Sequence, residues 1–337
     1  MEECVSKKCT PSRASWLRRA LAGTAFASVL VLVLLFVSLP TGRGGWSQPN
    51  RVQGAGALSA VSCPTVAFCV AVGGEDAATY YRGHWSKAVV IDTHRGSGSG
   101  LDTVSCSSPT FCIAGDDAGD AFTFDGFKWS NAVLADGEAG FSQISCVASG
   151  SCMAVDDDGN FTYFHGGGWS RPVPIPGSSQ PLSIACTRSL VCMAVDGNAT
   201  GAYRFRRGRW SDAGQLPVLT PQGGSATPVG SSVSCATSEL CAALDDFGEA
   251  FIWQGKRWSD AVRFDTGLAD ASDAVSCPSS KFCMVVDEDG VATRWNGSTW
   301  SSATQVDAAD ASLADVSCAS SRFCVAVDGY GRALTYR

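Results

Sequence analysis

Seven pairs of cysteines are the residues with the clearest chemical potential in this chain. Five residues separate the partners of every pair, and the pairs are Cys63 with Cys69, Cys106 with Cys112, Cys146 with Cys152, Cys186 with Cys192, Cys235 with Cys241, Cys277 with Cys283, and Cys318 with Cys324. Catalytic dithiols usually have two intervening residues, and zinc sites collect four ligands at short spacing. With only three histidines in the chain, we predict structural disulfides and neither a metal nor another cofactor. Each would contribute roughly 2 kcal/mol by the chain-entropy model.

Aspartate-rich tetrapeptides are the second group that could do chemistry. Examples are Asp156–Gly159, Asp245–Gly248 and Asp287–Gly290. The first looks like the start of a calcium loop, but it lacks the glutamate that such loops carry at their twelfth position. An aspartate that starts a turn and a glycine at positive φ explain these residues locally. We therefore predict turns, with weak calcium sites as the alternative.

The motifs of common catalytic centres are missing from the sequence. It contains no Gly-x-Ser-x-Gly elbow, no His-Glu-x-x-His and no phosphate-binding glycine loop. The histidines, His84, His94 and His165, occupy unrelated positions along the chain. The sequence therefore predicts a non-enzyme, and an envelope hydrolase or lyase assembled from scattered loops is the less favoured alternative.

The cysteine pairs belong to an internal repeat that also contains a Trp-Ser dipeptide. Successive first cysteines are 43, 40, 40, 49, 42 and 41 residues apart, which is the length of a four-stranded propeller blade. The first Trp-Ser, at Trp46, precedes the first pair, and no Trp-Ser follows the last pair. We therefore predict an all-β, seven-bladed propeller over residues 45–337, closed by an N-terminal outer strand. A solenoid would need distinct polar capping units, whereas the end repeats resemble the others.

Each repeat has the pattern of four strands. The first segment alternates apolar and small residues, the second is continuously apolar, and the third alternates aromatic and polar residues. The fourth begins at Trp-Ser and tolerates Pro49 and Pro172, as an edge strand can. We predict that the repeated indoles pack between blades, with a sugar-binding platform as the alternative. Trp253 and Trp295 are outside that register and are predicted to be better candidates for exposure.

The N-terminal segment predicts a membrane anchor. Residues 1–19 carry a net charge of +3, and Ala20–Leu39 carry no charge. Twenty helical residues span about 30 Å, the thickness of a bilayer core. The basic flank predicts a cytoplasmic N-terminus and an extracytoplasmic propeller, in agreement with the compartment in which disulfides persist. The alternative is secretion after signal cleavage.

The charge balance and the variable loops indicate the kind of partner. The chain has a net charge of −7, so the part after residue 19 has −10, which argues against nucleic acid. The variable loops, such as 211–232, are expected to share a face with the acidic turns. The candidate binding residues on that face are His94, Arg95, Asp116, Asp157, Gln222, Asp246 and Asp289. The expected partner is an extracytoplasmic protein or envelope component, with a glycan as the alternative.

The repeat resembles those of secreted or membrane-tethered propellers in GC-rich Gram-positive bacteria. The segments Val275–Cys283 and Val316–Cys324 carry the unit Val-Ser-Cys-x-Ser-Ser-x-Phe-Cys most clearly, and the repeats extend from Trp46 to Arg337. The resemblance implies a disulfide-stapled propeller that binds or senses outside the cytoplasm. Similar propellers are the extracytoplasmic parts of receptor-type Ser/Thr kinases, but here the predicted cytoplasmic part is nineteen residues without a kinase.

Overall fold

A computed structural model describes residues 45–93, 100–137, 139–219, 229–264, 274–308 and 312–337. The regular elements in these ranges are β-strands. A search of the same residues finds no helix of the length and hydrophobicity that a membrane crossing requires. The predicted basic segment 1–19 and the predicted anchor 20–39 are outside the described residues.

Within the described residues, thirty strands form seven antiparallel sheets, one for each repeat. β1 (Asn50–Arg51) belongs to the seventh sheet. In chain order, blade one contains β2 (Ala60–Thr65), β3 (Phe68–Gly73), β4 (Asp76–Tyr81), β5 (His84–Trp85) and β6 (Val89–Val90), and blade two contains β7 (Leu101–Ser108), β8 (Phe111–Asp116), β9 (Asp120–Phe124) and β10 (Val133–Leu134). Blade three contains β11 (Phe141–Ala148), β12 (Ser151–Asp156), β13 (Asn160–His165), β14 (Gly168–Trp169) and β15 (Val173–Pro174), and blade four contains β16 (Pro181–Cys186), β17 (Cys192–Asp196), β18 (Gly201–Arg206) and β19 (Arg209–Gln215). Blade five contains β20 (Gly230–Thr237), β21 (Leu240–Asp245), β22 (Glu249–Trp253) and β23 (Val262–Arg263), and blade six contains β24 (Ala274–Ser279), β25 (Phe282–Val286), β26 (Val291–Trp295) and β27 (Thr304–Gln305). Blade seven contains β28 (Leu313–Ser320), β29 (Phe323–Asp328) and β30 (Arg332–Tyr336), followed by β1.

The N-terminal segment closes the ring, as the sequence predicts. Asn50 pairs with Ala333 in the β1–β30 ladder, and Trp46 forms a bridge with Tyr336. Gly45 and Arg337 exchange two backbone hydrogen bonds, of 2.8 and 3.1 Å. The outer strand that the last repeat lacks is therefore supplied from the start of the propeller, and the all-β, seven-bladed prediction is confirmed.

The second strand of each blade is buried on both faces. In β3, Val70, Ala71 and Val72 are each 0% exposed, and equivalent residues belong to the clusters that fill the boundaries between blades. The continuous apolar segments therefore form central strands that neighbouring blades cover on both sides. Burying these faces between blades gives the ring seven small cores in place of one large one.

The serine of the Trp-Ser dipeptide shapes the outer strand. In blade one the Ser86 hydroxyl accepts a 3.0 Å hydrogen bond from the backbone N–H of Thr79 and donates to the Lys87 carbonyl. At this point the outer strand bends away from the third strand, and the serine hydroxyl takes the place of a backbone carbonyl as hydrogen-bond acceptor. The outer strand of this blade is split into β5 and β6 for that reason. The same hydrogen bond occurs in blade seven, where the backbone N–H of Thr335 donates to Ser47 Oγ of the N-terminal segment.

An aromatic residue of the third strand packs at an angle against every Trp of the repeat. The ring centroids are 5.3–5.6 Å apart, and the pairs are Tyr80–Trp85, Phe124–Trp129, Phe164–Trp169, Phe205–Trp210, Trp253–Trp258, Trp295–Trp300 and Tyr336–Trp46. The prediction that Trp253 and Trp295 are exposed is wrong, because their indoles are 4% and 9% exposed. Both occupy the position that Tyr or Phe fills in other blades. The predicted packing of the Trp-Ser indoles is confirmed, because they contact the clusters between blades.

All seven predicted disulfides are present, and each lies within a single blade. The bonded pairs are Cys63 and Cys69, Cys106 and Cys112, Cys146 and Cys152, Cys186 and Cys192, Cys235 and Cys241, Cys277 and Cys283, and Cys318 and Cys324. Each bond joins the first two strands, with Cα atoms 3.9–4.1 Å apart. The bond therefore clamps one hairpin at its loop end, as the sequence predicts.

The second cysteine of each pair belongs to the core between blades. Cys69, Cys112 and Cys241 are representative, since they are 0%, 0% and 3% exposed and lie in three of the core clusters. These sulfur atoms are closed off from solvent by the neighbouring blade. The prediction that the pairs are structural, and not sites that bind a ligand, agrees with this burial.

Candidate functional site

The serine before the first cysteine of a repeat links neighbouring blades around the central channel. The Ser105 hydroxyl of blade two accepts a 2.8 Å hydrogen bond from the N–H of Cys146 in blade three. This bond recurs at six of the seven blade boundaries, all within described residues, the other five being Cys106 to Ser62, Cys186 to Ser145, Cys277 to Ser234, Cys318 to Ser276 and Cys63 to Ser317. Blade four has Ala185 at this position and offers no hydroxyl to Cys235.

A second set of side chains bridges the blades two residues earlier in the inner strands. Gln143 Oε1 accepts from the N–H of Ile184 at 2.8 Å, and Thr103 Oγ1 accepts from Ile144 at 3.0 Å. In blade seven the acceptor is Asp315, whose Oδ2 lies 2.8 Å from the N–H of Val61 in blade one. Burial raises the pKa of Asp315 to about 7, although two backbone N–H groups favour its ionised form. These side chains form a second set of links between the inner strands of adjacent blades.

The aspartate at the end of the second strand is a structural residue of the turn. In blade three, Asp156 is 0% exposed, and its Oδ1 accepts from the N–H groups of Asp158 and Asn160 at 3.0 and 2.7 Å. The turn closes through Gly159 at φ 89°, where a Cβ atom would lie 3.0 Å from the carbonyl of Ser179. The predicted turn chemistry is confirmed, and it explains why the tetrapeptides contain Asp and Gly.

The turns between second and third strands form one strongly acidic face of the ring. They are described throughout and contain sixteen Asp and Glu and one Arg, over residues 73–76, 116–120, 156–160, 196–201, 245–249, 287–291 and 328–332. Eight of these acids are buried in the turns, and the other eight are exposed or half-buried. The connections to the next blade reach the same face, since Ala135 and Ile175 donate hydrogen bonds to the turn glycines Gly119 and Gly159. We call this surface the acidic face.

Carboxylates from two blades meet at the mouth of the channel on this face. Asp102 is at the start of the inner strand of blade two, and its neighbours include Asp117 of the same blade and Asp157 of blade three. Asp102 is exposed to solvent, but partial desolvation by the surrounding protein raises its pKa to about 6, and repulsion by Asp117, Asp157 and Asp116 adds to the rise. Asp157 accepts from the Ser142 hydroxyl at 2.8 Å, and Asp117 accepts from the Gly100 N–H at 3.0 Å. We call Asp102, Asp117 and Asp157 the acidic mouth.

A buried acid pair lies beneath the acidic face at the boundary between blades two and three. Asp136 is 2% exposed, and its carboxyl group faces that of Asp156. Burial and repulsion by Asp156 raise the pKa of Asp136 to about 7. Because Asp156 is also held by the turn, a proton on Asp136 relieves the repulsion. In blade five, burial likewise raises the pKa of Asp245 to about 7.

The structure separates the candidate residues predicted from the sequence. Asp157 and Asp289 are exposed on the acidic face, and Asp246 is half-buried there, accepting from the Val229 N–H at 2.9 Å. Asp116 is 0% exposed and holds its own turn, so it stabilises the face without reaching a ligand. His94, Arg95 and Gln222 are outside the described residues.

Asp102 and Asp117 are the mouth residues that the sequence reasoning missed. Asp117 had a signal in the repeat, because it follows the turn aspartate as Asp157 and Asp246 do. Asp102 had none, because most repeats have Ser, Leu or Ala four residues before the first cysteine. Within the described ranges, no three His, Cys, Asp or Glu side chains are grouped so that they could hold a metal ion.

Comparison with known proteins gives the fold and no family. No family model and no curated protein match this sequence. The structure of YCF48 bound to D1 peptide has a TM-score of 0.65 and 12% identity, covering 89% of this chain and 96% of that one. YCF48 from Cyanidioschyzon merolae has a TM-score of 0.64 and 13% identity, covering 87% and 99%. U3-55K has a TM-score of 0.70 and 9% identity, covering 86% and 98%. The likeness is one of fold.

Proposed function

We propose that residues 45–337 are a non-catalytic, extracytoplasmic binding module that acts as a scaffold or sensor for a protein partner of the cell envelope. In this proposal Ala20–Leu39 anchor the module in the membrane, and secretion after signal cleavage is the alternative. The observation that carries the proposal is the group of carboxylates at the channel mouth, on a face with sixteen acidic residues in its turns.

The proposed compartment is supported by the disulfides. Every blade contains one, and each clamps the hairpin beside the channel. Disulfides persist in oxidising compartments and are rare in the cytosol. Protease added to intact cells should therefore digest the propeller and spare an epitope tag at the N-terminus. A protected propeller would overturn the extracytoplasmic proposal, and tagged full-length protein in the medium would favour secretion.

The chemistry of the acidic mouth fits a basic, extended segment of a partner protein. Asp102 and Asp157 come from adjacent blades and repel each other, so a Lys or Arg side chain beside them would be attracted by both. Such a cation would also lower the pKa of Asp102 by favouring its ionised form. The structure of YCF48 bound to D1 peptide is an example of a similar propeller with a peptide partner.

Glycan binding is the alternative because the repeated indoles of Trp-Ser could have formed an aromatic platform. Each indole of the repeat packs at an angle on its own blade's aromatic residue and contacts the cluster between blades. This packing gives the indoles a structural role that does not require a sugar ligand. A glycan array with residues 45–337 tests the alternative directly, and selective binding to one sugar class would replace the proposal above.

Selection from a random peptide library tests the proposed partner chemistry. The expected peptides are rich in Lys and Arg. Their binding should weaken at least about tenfold in the triple variant Asp102→Asn/Asp117→Asn/Asp157→Asn. Glu239→Gln with Asp125→Asn, at the other end of the blades, is the matched control and should change little. Peptides without basic residues, or equal binding by the triple variant, would contradict the proposal.

The pH dependence of the same binding adds a second readout. Asp102 is neutral below its pKa of about 6 and negatively charged above it. Binding of a selected basic peptide should therefore strengthen as the pH rises from about 5 to about 7.5. Asp102→Asn should remove most of this change. An unchanged pH profile in that variant would place the binding site elsewhere.

A further inference from the structure

The end of the blades opposite the acidic face is formed by two sets of loops. One set is the five residues between the cysteines of each disulfide, and the other is the four residues before Trp-Ser in blades one to six. The sets touch, because Arg204 Nη2, just before one such loop, donates to the Ser238 carbonyl of the next blade at 2.6 Å. A Cβ atom on Gly126 would lie 3.0 Å from Thr110 of the same blade. We call this surface the basic face.

The basic face has the opposite charge to the rest of the propeller. Its loops, all of them described, contain ten Lys and Arg, each exposed, against two acidic residues. One of the two, Glu239, is paired with Arg204 at 3.1 Å. The densest part is the hairpin of blade four, with Arg206, Arg207 and Arg209. The acidic turns and the basic loops therefore give the ring two faces of opposite sign.

Apolar side chains project from the same loops. Phe127 is 93% exposed at the tip of its loop, where Asp125 Oδ1 accepts from the N–H groups of Phe127 and Lys128, both at 2.9 Å. Val66 and Leu190, in loops between cysteines, are 53% and 44% exposed. A rigid loop that presents a phenylalanine among cationic residues is suited to a surface that is anionic outside and apolar beneath.

The chain joins the propeller at this face. Gly45 is hydrogen-bonded to Arg337 at the loop end of blade seven, where the other blades have their basic loops. The first described residue of the propeller therefore lies at the basic face. Five residues, 40–44, separate the proposed anchor from Gly45 in the sequence.

We infer that the basic face docks on an anionic lipid surface, with Phe127 inserted among the headgroups. The inference goes beyond the proposed function, because the charges and the apolar tips belong to the propeller alone. Each Lys or Arg near an anionic bilayer contributes about fivefold to the partition coefficient. The acidic face would then point away from the membrane, towards a partner.

Vesicle co-sedimentation of residues 45–337 tests the inference. This part of the chain contains every strand of the closed ring and all seven core clusters, and it lacks the proposed anchor. The expected result is binding to phosphatidylcholine vesicles with about a third phosphatidylglycerol, weakening with salt, and little binding to phosphatidylcholine alone. Equal binding to both vesicles, or to neither, would overturn the inference. So would tighter binding to double-stranded DNA at equal charge concentration.

Matched variants locate the docking surface. Arg206→Ala/Arg209→Ala should lower the partition coefficient about 25-fold, whereas Lys87→Ala/Arg171→Ala, at exposed positions between the two segments of an outer strand, should change it less than about threefold. Phe127→Ser should weaken binding more than Leu134→Ser on the outer edge. Equal effects within either pair would overturn the assignment. The vesicle experiment uses protein without the proposed anchor. Its result is therefore independent of the protease experiment on intact cells, and either proposal can fail without the other.

Discussion

The pair formed by Asp136 and Asp156 gives the propeller a defined pH response. The pKa of Asp136 rises from 3.8 to about 7 on folding, first because of burial and then because of Asp156. The folded chain therefore binds the proton more tightly than the unfolded chain. The stabilisation from this proton is complete below about pH 4 and is lost as the pH rises through about 7.

Asp136→Asn should remove much of this loss. An amide keeps the size of the side chain without the charge, so the variant should gain about 1–2 kcal/mol in the free energy of unfolding near pH 8 and nothing near pH 4. Denaturant unfolding across this pH range measures the change. Asp289→Asn, an exposed residue of the same face, is the control. A variant that is less stable than the parent near pH 8 would contradict the acid pair.

Two substitutions at the position before the first cysteine should change the free energy of unfolding in opposite directions. Ser145→Ala removes the acceptor of the 2.9 Å bond from Cys186 and should lower the free energy of unfolding by about 1 kcal/mol. Ala185→Ser supplies the hydroxyl that blade four lacks and should raise it by about 0.5 kcal/mol or more. Both are measured by denaturant unfolding. Unchanged stability in Ser145→Ala, or a loss of stability in Ala185→Ser, would contradict a stabilising linkage between blades.

Some of these residue roles were predictable from the sequence and others were not. The turn aspartates could be assigned because Asp and Gly at fixed spacing specify a turn by local chemistry. Trp253 and Trp295 were assigned wrongly, because register was counted only from Trp-Ser. An aromatic residue stands five positions before each later Trp-Ser, and that spacing would have placed both indoles inside.

Each hairpin of strands one and two depends on its own disulfide. Cys146→Ala/Cys152→Ala should lower the free energy of unfolding by about 2 kcal/mol through the entropy of the opened loop. Because the bond is confined to blade three, the other six should form normally. Denaturant unfolding measures the loss of stability, and non-reducing peptide mapping shows whether the other six disulfides form. Scrambled pairing among the remaining cysteines would mean that the hairpins do not form independently.

The outer strands show what a repeat pattern leaves undetermined. Tolerance of proline correctly marked them as edges, but their interruption in blades one and three depends on hydrogen bonds to serine hydroxyls. In blade four the serine hydroxyl donates to the Arg204 carbonyl, and the strand β19 is continuous. Such exchanges between side chain and backbone change strand boundaries without changing the hydrophobic pattern.

At the scale of the whole molecule, the repeat count and the offset of Trp-Ser were enough to predict the ring. The acidic face was also predictable, because its turns have a fixed sequence signature. The basic face was not identified from the sequence, since its arginines are spread over loops that come together only when the blades close. The net charge of −7 conceals this division, because it sums two faces of opposite sign.

An engineered cross-link tests the closed ring most directly. Ser47 and Thr335 lie side by side, since the Ser47 N–H donates to the Thr335 carbonyl at 2.8 Å. Ser47→Cys/Thr335→Cys should therefore form an eighth disulfide, seen by non-reducing mass spectrometry as a peptide joining the two ends, with the seven native bonds unchanged. Ser47→Cys/Thr123→Cys, which uses the equivalent residue of blade two, should remain unlinked. Free thiols at positions 47 and 335 in the folded protein would contradict closure by the N-terminal strand.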